Sequence, residues 1–160
     1  MKVETPVKLL KISVYGWMFY LPQIITLSMI GSLAGISGFL ILFLTASIGY
    51  TIRAVIMMGI SVGIMCVLFQ KKPSLDAFNY FLPLSGWGIL SLLLRTINWM
   101  VPQILQVRIL VEQISLVTAW FLSYYMLGKL FNRENKPTMR PVVIALLIAV
   151  LLFFLLPPPI

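Results

Sequence analysis

The chain has no histidine, one cysteine and only four acidic residues in 160 positions. These shortages exclude most enzyme chemistry before any motif is sought. With Cys66 as the lone thiol there is no disulfide within the chain, and without histidine there is no Cys/His metal site and no histidine-based general acid, base or nucleophile relay. Ser123, Tyr124 and Tyr125 lack a histidine partner, and no GxSxG word occurs. The reading is therefore a non-enzymatic protein with no cofactor and no metal. Charge is scarce too, at 10% of residues against about 25% in a typical soluble domain.

What fills the space is apolar. Hydrophobic residues make up 61% of the sequence and the mean hydropathy is +1.04, which describes an integral membrane protein. Each crossing of a core about 30 Å thick consumes roughly 20 residues, so the chain has room for about five or six spans and no soluble domain. Lys and Arg outnumber acids 12 to 4. In a membrane protein that excess is first a topology signal. The basic residues do not form one patch interleaved with aromatics, so nucleic acid is not an expected partner.

Residues 1–22 read as a cytoplasmic-side amphipathic segment in the interface, with Lys8 and Lys11 toward headgroups and Tyr15, Trp17, Phe19 and Tyr20 toward the acyl boundary. The rival is that they form the first turns of a tilted span. Residues 23–160 read as one all-α transmembrane domain, a polytopic bundle with spans over about 23–45, 54–69, 78–100, 104–127 and 141–156. Pro22 marks the first start, Ser47, Gly49, Tyr50 and Arg53 a turn, Pro73 and Ser74 a basic loop, and the triple proline at 157–159 the last stop. Gly31 and Gly35 in the first span, and Gly59 and Gly63 in the second, allow close helix packing. A tight hairpin is the expected use of these glycines; a homodimer contact is the rival.

Five spans place every basic cluster on one side. Lys8 and Lys11 precede the first span, Lys71 and Lys72 lie between the second and third, and Lys129, Arg133, Lys136 and Arg140 lie between the fourth and fifth. The positive-inside rule then puts the N-terminus in the cytoplasm and the C-terminus outside. These loops would meet anionic headgroups or a cytoplasmic partner.

The segments TPVKLLK, KKPSLDAFNYFLPLSG and LGKLFNRENKPTMRPVVIALLIAVLL, with the glycine-rich first hairpin between the first two, resemble the Yip family of Ypt/Rab-interacting membrane proteins in its small bacterial form. In that form a basic loop with Ser or Thr leads into a helix carrying a proline, here Lys72, Ser74 and Pro83. The resemblance implies a five-span bundle without enzymatic activity. Eukaryotic relatives serve vesicle trafficking with small GTPases, and some bacterial ones accompany transporters of the ABC class. GTPase binding is not expected here, because the long cytoplasmic region through which eukaryotic members contact partners has no counterpart in the sequence.

One stretch carries both signs of charge inside apolar surroundings. Arg95, Arg108 and Glu112 are the intramembrane charges, with Asn98, Gln103, Gln106 and Gln113 at the same level. Arg108 and Glu112 are four apart and share a helix face. Charges in spans mark functional sites by default, so one reading is an outward-opening polar pocket for an anionic headgroup, a solute or a partner helix. The other is structural: Arg95 snorkels outward while Arg108 and Glu112 pair and fix two helices. Asp76 belongs on the opposite side of the membrane from Glu112, beyond the about 5 to 10 Å of paired-carboxylate catalysis. Two functions follow as expectations: an accessory protein binding other membrane proteins such as a transporter or secretion complex, or a small transport subunit using the polar cluster.

Overall fold

A computed structural model describes residues 4–68 and 75–131. Every described element is helical, as the apolar composition requires of backbone in lipid. The order is α1 (Glu4–Phe19), α2 (Leu21–Gly31), a short 3-10 turn (Ser32–Ala34), α3 (Gly35–Leu68), a 3-10 segment (Leu75–Phe81), α4 (Leu82–Met100), a second short 3-10 turn (Pro102–Ile104) and α5 (Leu105–Phe131). Three stretches among the described residues are long and apolar enough to cross a membrane: Leu21–Leu68, Leu75–Met100 and Pro102–Leu130. The expected span over 141–156 lies outside the described residues, as do Lys71, Lys72, Arg133, Lys136 and Arg140.

The expected division between spans over 23–45 and 54–69 is overturned. Helix α3 runs unbroken through it for 34 residues, about 51 Å at 1.5 Å per residue. The residues that look like a turn are instead the polar side of a helix pair. Trp17 of α1 donates its indole N–H to Ser47 Oγ at 3.1 Å, Tyr50 stacks on Tyr20 at 5.0 Å, and Arg53 lies 5.9 Å over the Tyr20 ring. With each polar group partnered from outside the helix, and no proline between Gly35 and Leu68, nothing forces a break.

The reversal occurs earlier, at GSLAG. Gly35 adopts φ +87°, a left-handed conformation that favours glycine. A Cβ on Gly31 would meet the Gly38 carbonyl at 2.6 Å, so the two backbones touch where the chain doubles back. Gly31 is thus a close-approach glycine as expected, but Gly35 forms the turn and has open space around it. Gly59 and Gly63 also have nothing within 4 Å, so the expected packing of these two inside the hairpin is corrected.

Helix α1 continues into α2 with a kink at Tyr20, where Pro22 sits in the first turn of α2. Together they form one arm antiparallel to α3. Ile12 and Phe19 are buried, and a Cβ on Gly16 would strike Ala54 Cβ at 2.7 Å. Helix α1 is therefore packed along α3 and α4. Helix α4 runs parallel to the α1–α2 arm, with Gly88 pressed on the Met18 carbonyl, and α5 returns beside α4. The core is aromatic. Phe19 meets Trp87 and Trp120, Trp120 stacks on Tyr124 at 5.6 Å, and Tyr124 donates its hydroxyl to Ser61 Oγ of α3 at 2.6 Å.

One end of the bundle is basic. Lys8 reaches Asp76 at 2.8 Å, tying α1 to the Leu75–Phe81 segment, and Lys129 ends α5 beside the same segment. The opposite face of α3 is apolar and exposed along its length, from Ile36 through Ile48, Ile56 and Ile60 to Val67. That inversion of the usual surface is what a lipid-facing helix shows.

Candidate functional site

The polar cluster centres on α4, which packs against α5 on one side and α2 on the other. Arg95 Nε donates to Glu112 Oε1 at 3.4 Å, and Arg108 Nη1 donates to the same oxygen at 3.3 Å. Arg95 Nη1 also reaches Thr26 Oγ1 of α2 at 3.4 Å. Glu112 is 7% exposed, and the two arginine side chains are 15% and 17% exposed. One buried carboxylate thus bridges two guanidiniums, in place of the expected division in which Arg95 stood apart.

The register of the helices stacks three layers. Trp87, Ser91 and Arg95 lie four apart on one face of α4. The outer two both grip Glu112: Trp87 donates its indole N–H to the Glu112 main-chain carbonyl at 2.9 Å, and Arg95 takes the carboxylate. Ser91, between them, is level with Glu112. On the other side, Phe19 meets Trp87 at 5.2 Å and Thr26 meets Arg95, so Gln23, between Phe19 and Thr26, is level with Ser91. Gln23 and Ser91, both buried, thus fall in height between the Phe19–Trp87 contact and the Thr26–Arg95 contact.

Several groups in this region lack a protein partner. Gln23 Nε2 and Oε1, Ser91 Oγ, Asn98 Oδ1 and Arg108 Nε are all buried without a hydrogen bond. Gln23 and Ser91 are 7% and 0% exposed. A buried polar group without a partner costs about 1–3 kcal/mol, so such a concentration marks a place that water or a ligand completes.

Of the expected residues, Arg95, Arg108 and Glu112 come together, and Asn98 lies one turn further along α4. Gln106 is exposed and joins none of these contacts. Gln23, Thr26 and Ser91 were missed. Their signal was present as small polar residues inside apolar runs, but only the close approach of α1 to α4 at Gly88 reveals which face they share. Ser91 is nine residues before Met100 and Glu112 seven after Leu105, about 10 to 14 Å along the helices from the Val101 turn, with Arg95 and Arg108 nearer to it. Among the described residues no group of three or more His, Cys, Asp or Glu side chains is placed to hold a metal.

A separate apolar groove of about 460 Å³ opens on the outer face of α4 and α5, between Pro83, Leu90, Ile114 and Leu122. Cys66 is buried at the far end of α3. No family model, no curated protein and no solved structure matches this chain.

Proposed function

We propose that this chain is a non-enzymatic integral membrane accessory protein that binds other membrane proteins, a transporter or secretion complex being the partner class. The observation that carries the reading is the outward face of α3. Ile56, Gly59, Ile60, Gly63, Ile64 and Val67 recur at helical spacing, the four large residues are 47–78% exposed, and both glycines have open space. Small residues on a lipid-facing helix let a partner helix approach closely, where van der Waals packing and interhelical contacts drive association. The Yip-like arrangement, five crossings with residues 141–156 as the fifth, belongs to the same reading. Support for its orientation comes from Lys8 and Lys129 lying at one end of the bundle, which the positive-inside rule assigns to the cytoplasm. Each exposed cation there adds about 1 kcal/mol of attraction to anionic lipid.

The test is affinity purification in mild detergent of the wild type and of a Gly59→Leu, Gly63→Leu variant. The expected result is a membrane-protein partner retained by the first and lost by the second at an unchanged unfolding midpoint. A wild-type preparation containing this chain alone, or a partner set indifferent to the substitutions, sinks the reading. A second copy crosslinked through this face would favour the homodimer instead.

A transport subunit is the second reading, favoured by the unpartnered Gln23 and Ser91 within the bundle. Replacing Glu112 with Gln and Arg108 with Met together would then abolish solute uptake while leaving partner capture intact.

A further inference from the structure

We infer that the apolar groove between α4 and α5 is the seat of this chain's own segment 141–156, packed antiparallel to α5. The inference rests on the five-crossing reading, in which that segment is the fifth span, and not on partner binding at α3. The groove comes first. Its volume of about 460 Å³ far exceeds the water-sized voids that a packed interior leaves, and Leu90, Ile114 and Leu122 on its walls are exposed. Something apolar has to fill it.

Chemistry restricts the occupant. Ser115 and Thr118 line the groove, but their hydroxyls are already satisfied within α5: Ser115 donates to the Glu112 carbonyl at 3.0 Å and Thr118 to the Ile114 carbonyl at 2.8 Å. On the α4 wall, a Cβ at Gly86 would meet nothing within 4 Å. The groove therefore asks for apolar bulk and for no hydrogen bond. Residues 141–156, PVVIALLIAVLLFFLL, carry no polar side chain at all. Ala145, Ala149 and Phe153 are spaced four apart, which on a helix is one face. The two alanines let that face lie close to α5, and the ring supplies bulk for the open side of Gly86.

The connection restricts it further. Helix α5 ends at Phe131, and the nine residues from Asn132 to Arg140 reach at most about 30 Å when fully extended. Consecutive elements joined by so short a link lie side by side as a rule. With Arg140 and Lys129 at one membrane surface, equal rise per residue brings Ala149 level with Trp120 and Phe153 level with Leu116. Both levels fall within the stretch of α5, Val111 to Leu122, that walls the groove. The exposed face of α3 is the poorer seat, because α3 has little contact with α5.

The experiment is disulfide crosslinking of the full chain in its membrane. Cys66→Ala removes the one native thiol, Gly86→Cys places a thiol on α4, and a second cysteine is moved one position at a time through 147–156. Gly86 is the informative wall, since α4 does not adjoin the segment in sequence. Links are read after oxidation as joined peptides in a tryptic digest. They should peak at positions 149 and 153, at least about threefold above the intervening positions, because a disulfide needs Cα atoms about 4.4–6.8 Å apart. Ser115→Cys on the α5 wall serves if Gly86→Cys does not fold.

Even yields along the segment overturn the inference, as do links formed instead to Ile60→Cys on the outward face of α3. Links found only between two chains overturn it as well and assign the groove to a second copy. When no link forms, labelling of Ile160→Cys by a membrane-impermeant maleimide from outside separates two failures. Labelling means that the segment crosses while lipid fills the groove, so the inference alone falls. Absence of labelling removes the fifth crossing, and the inference with it.

Discussion

Trp87 donates its indole N–H to the main-chain carbonyl of Glu112 at 2.9 Å, and both residues are buried. This carbonyl also accepts the Ser115 hydroxyl at 3.0 Å. The tryptophan thus pins the backbone that carries the central carboxylate, while Arg95 and Arg108 hold its side chain. Trp87→Phe keeps most of the ring packing and removes the donor. The expected loss is about 1 kcal/mol, because the carbonyl keeps another partner. Chemical or thermal unfolding in detergent measures it, and a loss above about 3 kcal/mol would mean the ring, and not the N–H, carries the contact.

The shared carboxylate predicts strong coupling. Glu112→Gln removes the negative charge that Arg95 and Arg108 share and should cost about 3 kcal/mol, in the range for breaking a buried ion pair. Arg108→Met leaves Glu112 with Arg95 and should cost less. A double-mutant cycle between the two positions should deviate from additivity by 0.5 kcal/mol or more, as contacting residues do. Additive losses would show that the 3.3 Å contact has no energetic weight.

How much of this was legible in the sequence depends on which periodicity carried the information. The membrane class and the charged trio follow from composition and from a four-residue spacing, both local properties. The division of the first hairpin does not. Ser47, Tyr50 and Arg53 carry the polar marks of a turn, yet their partners Trp17 and Tyr20 lie about 30 residues away and keep α3 helical. GSLAG carries the marks of a packing motif, and only the positive φ of Gly35 shows that it is the bend. Gln23 and Ser91 became site residues for the same reason. Their importance arises from the register between α2 and α4, which Gly88 fixes by lying on Met18.

Proline scanning separates the two placements of that turn. Gly49→Pro should be tolerated if residues 46–53 form a loop, but within a continuous α3 it removes a helical hydrogen bond and costs about 3 kcal/mol or more. Gly35→Ala should cost about 1 kcal/mol through its left-handed backbone alone, with open space around the added methyl. Expression level and unfolding midpoint read both. A harmless Gly49→Pro would contradict the unbroken helix.

The glycines also rank by what surrounds them. An added Cβ at Gly88 would collide with the Met18 carbonyl, whereas at Gly63 it meets nothing. Backbone cannot swing aside as a flexible side chain can, so Gly88→Ala must push α4 away from α1 and loosen the Gln23 and Ser91 layer with it. A loss of about 1–3 kcal/mol is expected, the range for overpacking. Gly63→Ala should be neutral or gain up to about 1 kcal/mol from the better helix former. Should the two substitutions prove equally mild, the contact between α1 and α4 that sets the register of the polar layer would have to be wider than the structure places it.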